Sequence, residues 1–165
     1  MLKKIICASV TGLLLTAGVS FADHLDSAQI LKEQMAKAKA KIQTMDTKTL
    51  RSWIDGSEKE FVLLDIREPN EVAAAKIDAD EAMTIPRGLV EFVFTKKVTD
   101  HDKPVVVYCK AGSRGALAAA ALKDLGYKNV YNLDGGILKW INEGHPVNNF
   151  FGEFEVSNFD SNFDS

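Results

Sequence analysis

The sequence predicts an α/β fold, with a central parallel sheet of about five strands and helices on both faces. Apolar runs alternate with helical segments between residues 46 and 148, and strands that are separated by helices pair in parallel. The runs EFVLLDI (60–66) and KPVVVYC (103–109) are almost continuously apolar, as in strands that are covered on both faces. The 165 residues are enough for one domain with a hydrophobic core.

The elements are predicted from capping residues and hydrophobic periodicity. Residues 23–45 are rich in Ala and Lys and predict an N-terminal helix with a narrow apolar stripe. Asp46 or Thr47 caps a second helix that ends at Gly56. Besides the two runs above, the predicted strands are 82–86 and 128–134, and the further predicted helices are 68–77, 88–98, 113–126 and 135–144.

Residues 1–22 are typical of a secretory signal peptide. Lys3 and Lys4 precede an apolar run, and small residues lead to a cleavage site after Ala22. The apolar run is shorter than the ~20 residues of a membrane-spanning helix. We therefore predict an exported, periplasmic protein.

Residues 149–165 form a tail of different composition. The tail holds five of the nine phenylalanines and a duplicated SNFD, whereas flexible tails are usually poor in aromatic residues. Two alternatives stay open: the tail docks on its own domain or on another copy, which would make a homo-oligomer, or it is disordered.

Charge and histidine placement argue against two classes of function. The formal net charge is −3, and removal of residues 1–22 leaves 18 basic side chains against 23 acidic ones, or −5. An acidic chain without a basic stripe is not expected to bind nucleic acid. His24, His101 and His145 are scattered without metal-ligand spacing, so neither a metal nor another cofactor is expected.

Cys109 is the only cysteine that follows the predicted signal peptide, and it ends a predicted buried strand. In parallel sheets, ligands bind where strand ends meet helix starts. The first N–H groups of the helix at Ser113 lack internal partners, and Gly112 allows the loop to curl around the sulfur. With Lys110 and Arg114 nearby, this geometry favours the nucleophilic thiolate at neutral pH and attracts anions.

Three segments carry a family resemblance. CKAGSRG (109–115) resembles the active-site loop Cys-x-x-Gly-x-Arg of rhodanese-like sulfurtransferases. LLDIRE (63–68) is similar to the Leu-Asp-Val-Arg-Glu segment of that family, and LDGGILKWINEGHPV (133–147) to its Gly-Gly-x-x-x-Trp ending. The resemblance covers residues 46–148 and implies the three-layer rhodanese-like fold.

The resemblance implies a persulfide relay on Cys109. The catalytic cysteine would take a sulfur from a small anionic donor such as thiosulfate and pass it to cyanide or a thiol. The substrate-binding loop would consist of Lys110, Ala111, Gly112, Ser113, Arg114 and Gly115. Its amides would stabilise the persulfide, and its two cations would hold the oxyanion end of the donor.

Two alternatives remain. A binding module would capture anions without turnover, although such relatives commonly lack the cysteine. A cysteine-dependent phosphatase is less favoured, because the phosphatase-like relatives carry a loop one residue longer than the six residues from Cys109 to Arg114.

Three residues outside the loop are expected to support the site. Asp65 and Arg67 end a strand and are expected to pair with each other and with loop backbone. Arg87 either lines the rim of the site or caps a helix. AKIDADEA (75–82) replaces the Gly-His-Ile-Pro-Gly-Ala that relatives often carry, so this turn must be built differently.

Overall fold

The computed structural model describes residues 26–56 and 59–156. The six helices of these residues are α1 (Ser27–Lys41), α2 (Thr47–Asp55), α3 (Pro69–Ala74), α4 (Val90–Lys97), α5 (Ser113–Asp124) and α6 (Gly136–Asn142). The seven strands are β1 (Gln43–Met45), β2 (Val62–Asp65), β3 (Ala82–Thr84), β4 (Val105–Tyr108), β5 (Val130–Leu133), β6 (Val147–Asn149) and β7 (Gly152–Phe154). A 3₁₀ turn, Arg87–Leu89, leads into α4.

Five strands form one parallel sheet in the order β1-β5-β4-β2-β3. The central strand β4 pairs with β2 on one side, where Val105 lies opposite Val62, and with β5 on the other, where it lies opposite Val130. All four residues of β2 and of β4 are buried. The parallel α/β fold predicted from the apolar runs is confirmed.

The sheet separates two hydrophobic clusters, as alternating side chains of a strand require. Val105, Val107 and Cys109 belong to the cluster under α4 and α5. Val106 and Tyr108 belong to the opposite cluster, which contains residues of α2 and α6. The cysteine therefore faces the cluster under α4 and α5.

The prediction of a single helix over 23–45 is wrong at its C-terminal end. The helix stops at Lys41, Ile42 is extended, and residues 43–45 form β1, which pairs in parallel with β5. Pairing with the edge of the sheet overrides the local helical preference of this segment. The helix itself packs against α5, with Ala38 buried and Lys41 bound to Asp124.

The segment that departs from the family pattern is held by the end of the chain. Lys76 and Asn148 exchange backbone hydrogen bonds of 2.9 and 2.8 Å, so α3 ends at Ala74 instead of reaching residue 77 as predicted. Strand β6 continues across the predicted domain boundary at 148/149 and pairs with β7 in an antiparallel hairpin. Side chains of this hairpin cover the cluster that contains residues of α2 and α6: Val147 is part of it, and Phe154 packs against it.

The described residues test only part of the predictions for the two termini. Phe150 and Phe151, at the tip of the hairpin, are 94% and 91% exposed. The predicted signal peptide, 1–22, and the tail beyond residue 156 lie outside the described residues. Among the helices that the structure describes, none is long and apolar enough to cross a membrane.

Candidate active site

Cys109 follows the last residue of the central strand, where the loop to α5 begins. Both neighbouring strands end at the same edge of the sheet, so their terminal residues surround this loop. The residue is only 1% exposed. The sulfur is therefore held within protein, where nearby dipoles and charges act more strongly than they do in water.

Two backbone N–H groups point at the sulfur. Gly112 N–H and Gly115 N–H donate to Cys109 Sγ, with N···S distances of 3.2 and 3.3 Å. Gly112 has φ +93°, a left-handed angle that glycine adopts without strain, and it is the residue before α5. Gly115 lies in the first turn, whose N–H groups have no partner inside the helix. Both donors therefore stabilise a sulfur anion at the positive end of α5.

The outer side of the loop is fixed by α6. Ile137 N–H donates to Cys109 O at 2.9 Å, and Leu138 N–H donates to Lys110 O at 3.1 Å. This approach requires Gly136, because a Cβ at that position would lie 2.4 Å from Cys109 O, and its φ is +58°. The start of α6 binds two loop carbonyls and so fixes their orientation while the loop amides face the sulfur.

Gly115 also meets a polar side chain from β5. A Cβ there would lie 2.2 Å from Asn132 Oδ1. Asn132 is 6% exposed, and its Oδ1 has no hydrogen-bond partner among the described residues. The close approach explains why position 115 accommodates only glycine without displacement of this side chain.

Arg114 forms a two-pronged ion pair with Glu71 of α3. Nη1 donates to Oε2 at 2.8 Å and Nη2 donates to Oε1 at 2.6 Å, and the side chains are 37% and 26% exposed. The hydrogen bonds from Arg114 lower the pKa of Glu71 to about 2. The hydrogen bonds to Glu71 raise the pKa of Arg114, and the nearby Cys109 sulfur adds to that rise. The guanidinium is thus bound to a carboxylate and lies near the sulfur.

Asp65 and Arg67 form a second ion pair, which is buried. Arg67 Nη2 donates to Asp65 Oδ2 at 2.6 Å, and the side chains are 5% and 3% exposed. Arg67 also donates to the carbonyls of Glu71 and Ala75. Burial disfavours the charge of Arg67, but the hydrogen bonds and charge of Asp65 outweigh it and raise the pKa of the guanidinium. This pair fixes the backbone of α3, which carries Glu71.

Among the described residues, Arg87, Lys110, Ala111 and Ser113 form no hydrogen bond with the sulfur. Arg87 donates to Glu91 at 2.9 Å through Nη1, so its side chain lies along α4 and forms no polar contact with the loop. Ala111 and Ser113 are exposed, and Lys110 is partly buried. Within residues 26–56 and 59–156, Lys110 forms no ion pair.

Two neighbours of the loop are not indicated as site residues by the sequence. The pattern around Glu71 predicts only a short helix, and the pattern around Asn132 predicts only a strand. The position of Glu71 three residues after the helix cap Glu68, with Pro69 between them, is typical of a helix start. That signal indicates a cap but not the pairing with a residue 43 positions away.

Trp140 lies in the core. It is 1% exposed, and its Nε1 donates to Pro146 O at 2.7 Å.

In the part of the chain that the structure describes, no group of three His, Cys, Asp or Glu side chains has an arrangement that could hold a metal ion.

The sequence of this chain is similar to those of several known proteins. The sequence model of the Rhodanese-like domain matches residues 46–143. A sulfurtransferase of Allochromatium vinosum is 34% identical over 106 residues, which cover 64% of this chain and 94% of that protein. The probable adenylyltransferase/sulfurtransferase MoeZ of Mycobacterium tuberculosis is 33% identical over 75% of this chain, which spans only 31% of MoeZ.

A solved structure extends the similarity beyond the matched domain. The polysulfide-sulfur transferase homodimer of Wolinella succinogenes is 31% identical, with a TM-score of 0.61. The alignment covers 82% of this chain and 94% of that one. Both the sequence and the fold are therefore similar to those of proteins named for sulfur transfer.

Proposed function

Because this chain belongs to the rhodanese-like domain family, we propose that it is a sulfurtransferase that carries a sulfane sulfur as a persulfide on Cys109. The observation that carries the proposal is the pair of N–H donors on the sulfur, from Gly112 and Gly115. They stabilise the thiolate that attacks the donor. They stabilise the same anion again when it leaves the persulfide.

The proposed reaction has two displacement steps. The Cys109 thiolate attacks the outer sulfur of a donor such as thiosulfate, the S–S bond of the donor breaks, and its electron pair leaves with sulfite. The anionic persulfide then gives its outer sulfur to cyanide or to a thiolate, and the cysteine returns as a thiolate. No oxidant and no cofactor enters either step. Each step needs an anionic sulfur that alternates as nucleophile and leaving group.

Access to the sulfur requires side-chain movement. Cys109 is 1% exposed, whereas the neighbouring Arg114 side chain is 37% exposed. Because Arg114 lies near the sulfur and is itself partly exposed, displacement of its long side chain would open a route to the sulfur. The guanidinium can then bind the anionic end of the donor.

The same proposal includes export and small partners. Residues 1–22 would direct the chain to the periplasm, where a small anionic sulfur donor and a thiol or cyanide acceptor would meet it. To test the export, the full chain is expressed in cells and the N-terminus of the mature protein is sequenced. Cleavage after Ala22 is the expected result. A cytoplasmic protein that keeps Lys3 and Lys4 would contradict it.

The decisive experiment loads the cysteine. Purified protein is incubated with excess thiosulfate, and mass spectrometry of the peptide that contains Cys109 should show one additional sulfur atom. Cyanide should then remove that sulfur and release thiocyanate. Cys109→Ser should show neither change.

The competing functions give different results. An unmodified Cys109 with no thiocyanate favours a module that binds anions without turnover. Hydrolysis of an aryl phosphate that depends on Cys109 would favour a phosphatase.

A further inference from the structure

The arginine of the active-site loop already has an anionic partner. Glu71 occupies both Nη atoms of Arg114 at 2.6 and 2.8 Å. A donor that binds Arg114 through its own oxyanion must either displace this carboxylate or lie next to it. Glu71 is thus placed to influence which donors reach the sulfur.

The carboxylate is held in place by the start of α3. Glu71 Oε2 accepts a hydrogen bond from Glu68 N–H at 3.1 Å, in addition to the bond from Arg114. Arg67 donates to Glu71 O at 3.2 Å and so anchors the backbone of the same residue. With a pKa of about 2, Glu71 is ionised throughout the neutral range. Its negative charge is a permanent part of the site.

The formal charges of the loop and of its partner Glu71 then balance. With the cysteine as thiolate, Cys109 and Glu71 contribute two negative charges, and Lys110 and Arg114 contribute two positive ones. A dianionic donor such as thiosulfate enters a site without net positive charge. A donor with one negative charge or none meets less repulsion from the carboxylate.

We infer that Glu71 is a specificity-determining residue that selects sulfane-sulfur donors with one negative charge or none, such as thiosulfonates and organic persulfides, over dianionic thiosulfate. The inference rests on the proposed sulfurtransferase activity. Such donors react through the same atoms. The thiolate of Cys109 attacks the outer sulfur of R–S–SH, the S–S bond breaks, and the electron pair and negative charge leave with R–S⁻, while Cys109 becomes the persulfide Cys–S–SH.

The test compares two donors that differ by one charge. Thiosulfate, with two negative charges, and methanethiosulfonate, with one, both transfer a terminal sulfur. Their leaving groups are sulfite and methanesulfinate. We measure kcat/KM for each with cyanide as acceptor, in the wild type and in Glu71→Gln. The glutamine keeps an oxygen that can accept from Glu68 N–H, so the start of α3 is retained.

The expected result is a change in the ratio between the donors. Glu71→Gln should raise kcat/KM for thiosulfate about tenfold and for methanethiosulfonate severalfold less, since repulsion scales with donor charge. The matched control is Glu81→Gln. Glu81 pairs with Lys103 at 2.5 and 2.7 Å, and Leu63 N–H donates to its carbonyl near the amino ends of the strands. This variant also removes one negative charge, but at the amino ends of the strands, away from Cys109. It should leave the ratio of the two kcat/KM values unchanged.

Each other outcome has a defined meaning. An equal change for both donors in Glu71→Gln would overturn the inference and make Glu71 a residue that only positions Arg114. If neither donor loads Cys109 in the wild type, the proposed function itself fails. If Glu71→Gln does not fold, the salt dependence of the wild type decides: the preference for methanethiosulfonate must shrink as ionic strength rises, and a constant preference would refute the role of charge.

Discussion

The two carboxylate–guanidinium pairs near the active site differ in their surroundings. The Asp65–Arg67 side chains are 3% and 5% exposed, and Arg67 also binds two backbone carbonyls. The Glu71–Arg114 side chains are 26% and 37% exposed, and the guanidinium lies near the sulfur. The same chemical groups therefore form one sealed pair and one pair that water and anions can reach.

The difference assigns two roles to the two pairs: one stabilises the fold around the site, and the other can bind an incoming anion. A buried charge that loses its partner is poorly solvated, so separation of Asp65 from Arg67 strongly destabilises the fold. A partly exposed pair is weaker because water and ions compete for both partners. Arg114 can therefore exchange Glu71 for an incoming anion, whereas Arg67 cannot exchange Asp65. The Asp65–Arg67 pair holds α3 in place. The Glu71–Arg114 pair depends on that position, because Glu71 lies on α3.

The largest expected effect comes from removal of each arginine in turn. Arg67→Met should lower the free energy of unfolding by about 3–5 kcal/mol, because it leaves the Asp65 carboxylate buried and unpaired. Arg114→Met should lower it by less than about 1 kcal/mol but should strongly reduce persulfide formation. Urea unfolding and mass spectrometry of the Cys109 peptide measure the two quantities. Equal losses of stability would mean that the two pairs do not differ as described.

A somewhat smaller effect is expected from Gly136→Ala. The added Cβ would lie 2.4 Å from Cys109 O and 2.6 Å from Lys110 O, so α6 must withdraw from the loop that carries Arg114. Strain and overpacking should lower the free energy of unfolding by about 2–4 kcal/mol, and persulfide formation should fall.

Gly144→Ala is the matched control for this change. Gly144 also has a positive φ, +76°, but a Cβ there would meet nothing within 4 Å. It should lower stability by only about 1–2 kcal/mol through backbone strain and should leave persulfide formation intact. A loss of sulfur loading in both variants would contradict the role of Gly136 in holding the loop.

The smallest effect is a pH dependence that belongs to the partly exposed Glu71–Arg114 pair. The pKa of Glu71 falls from 4.5 to about 2 on folding, so the pair stabilises the folded state fully above pH 4.5. This contribution is lost as pH falls toward 2, and it is less than about 1 kcal/mol because solvent screens the pair. The stability difference between wild type and Glu71→Gln in urea should shrink over that range. A difference that grows toward pH 2 would contradict the assignment.

The sequence predicted the parts of this structure that depend on local pattern. Continuous apolar runs predicted β2 and β4, and the Cys109 loop was predicted at the end of a buried strand, which the structure shows to be the central one. The pairing of Asp65 with Arg67, two residues apart, follows from their proximity in the chain.

The features that the sequence did not predict depend on contacts between distant segments. Residues 43–45 are a strand because β5 offers an open edge, which no local propensity indicates. Glu71 reaches Arg114 across 43 positions, and Asn132 faces Gly115 only because β5 lies beside β4. Such neighbours follow from the order of strands, which local pattern does not determine.

The binding of the loop carbonyls by α6 also has a consequence for synthesis. Ile137 and Leu138 donate these hydrogen bonds, and they follow Cys109 by nearly thirty residues. A nascent chain that has emerged only as far as α5 carries the cysteine without the helix that shapes its loop. We therefore expect the loop to take its final shape only after the C-terminal third of the domain has been made and folded.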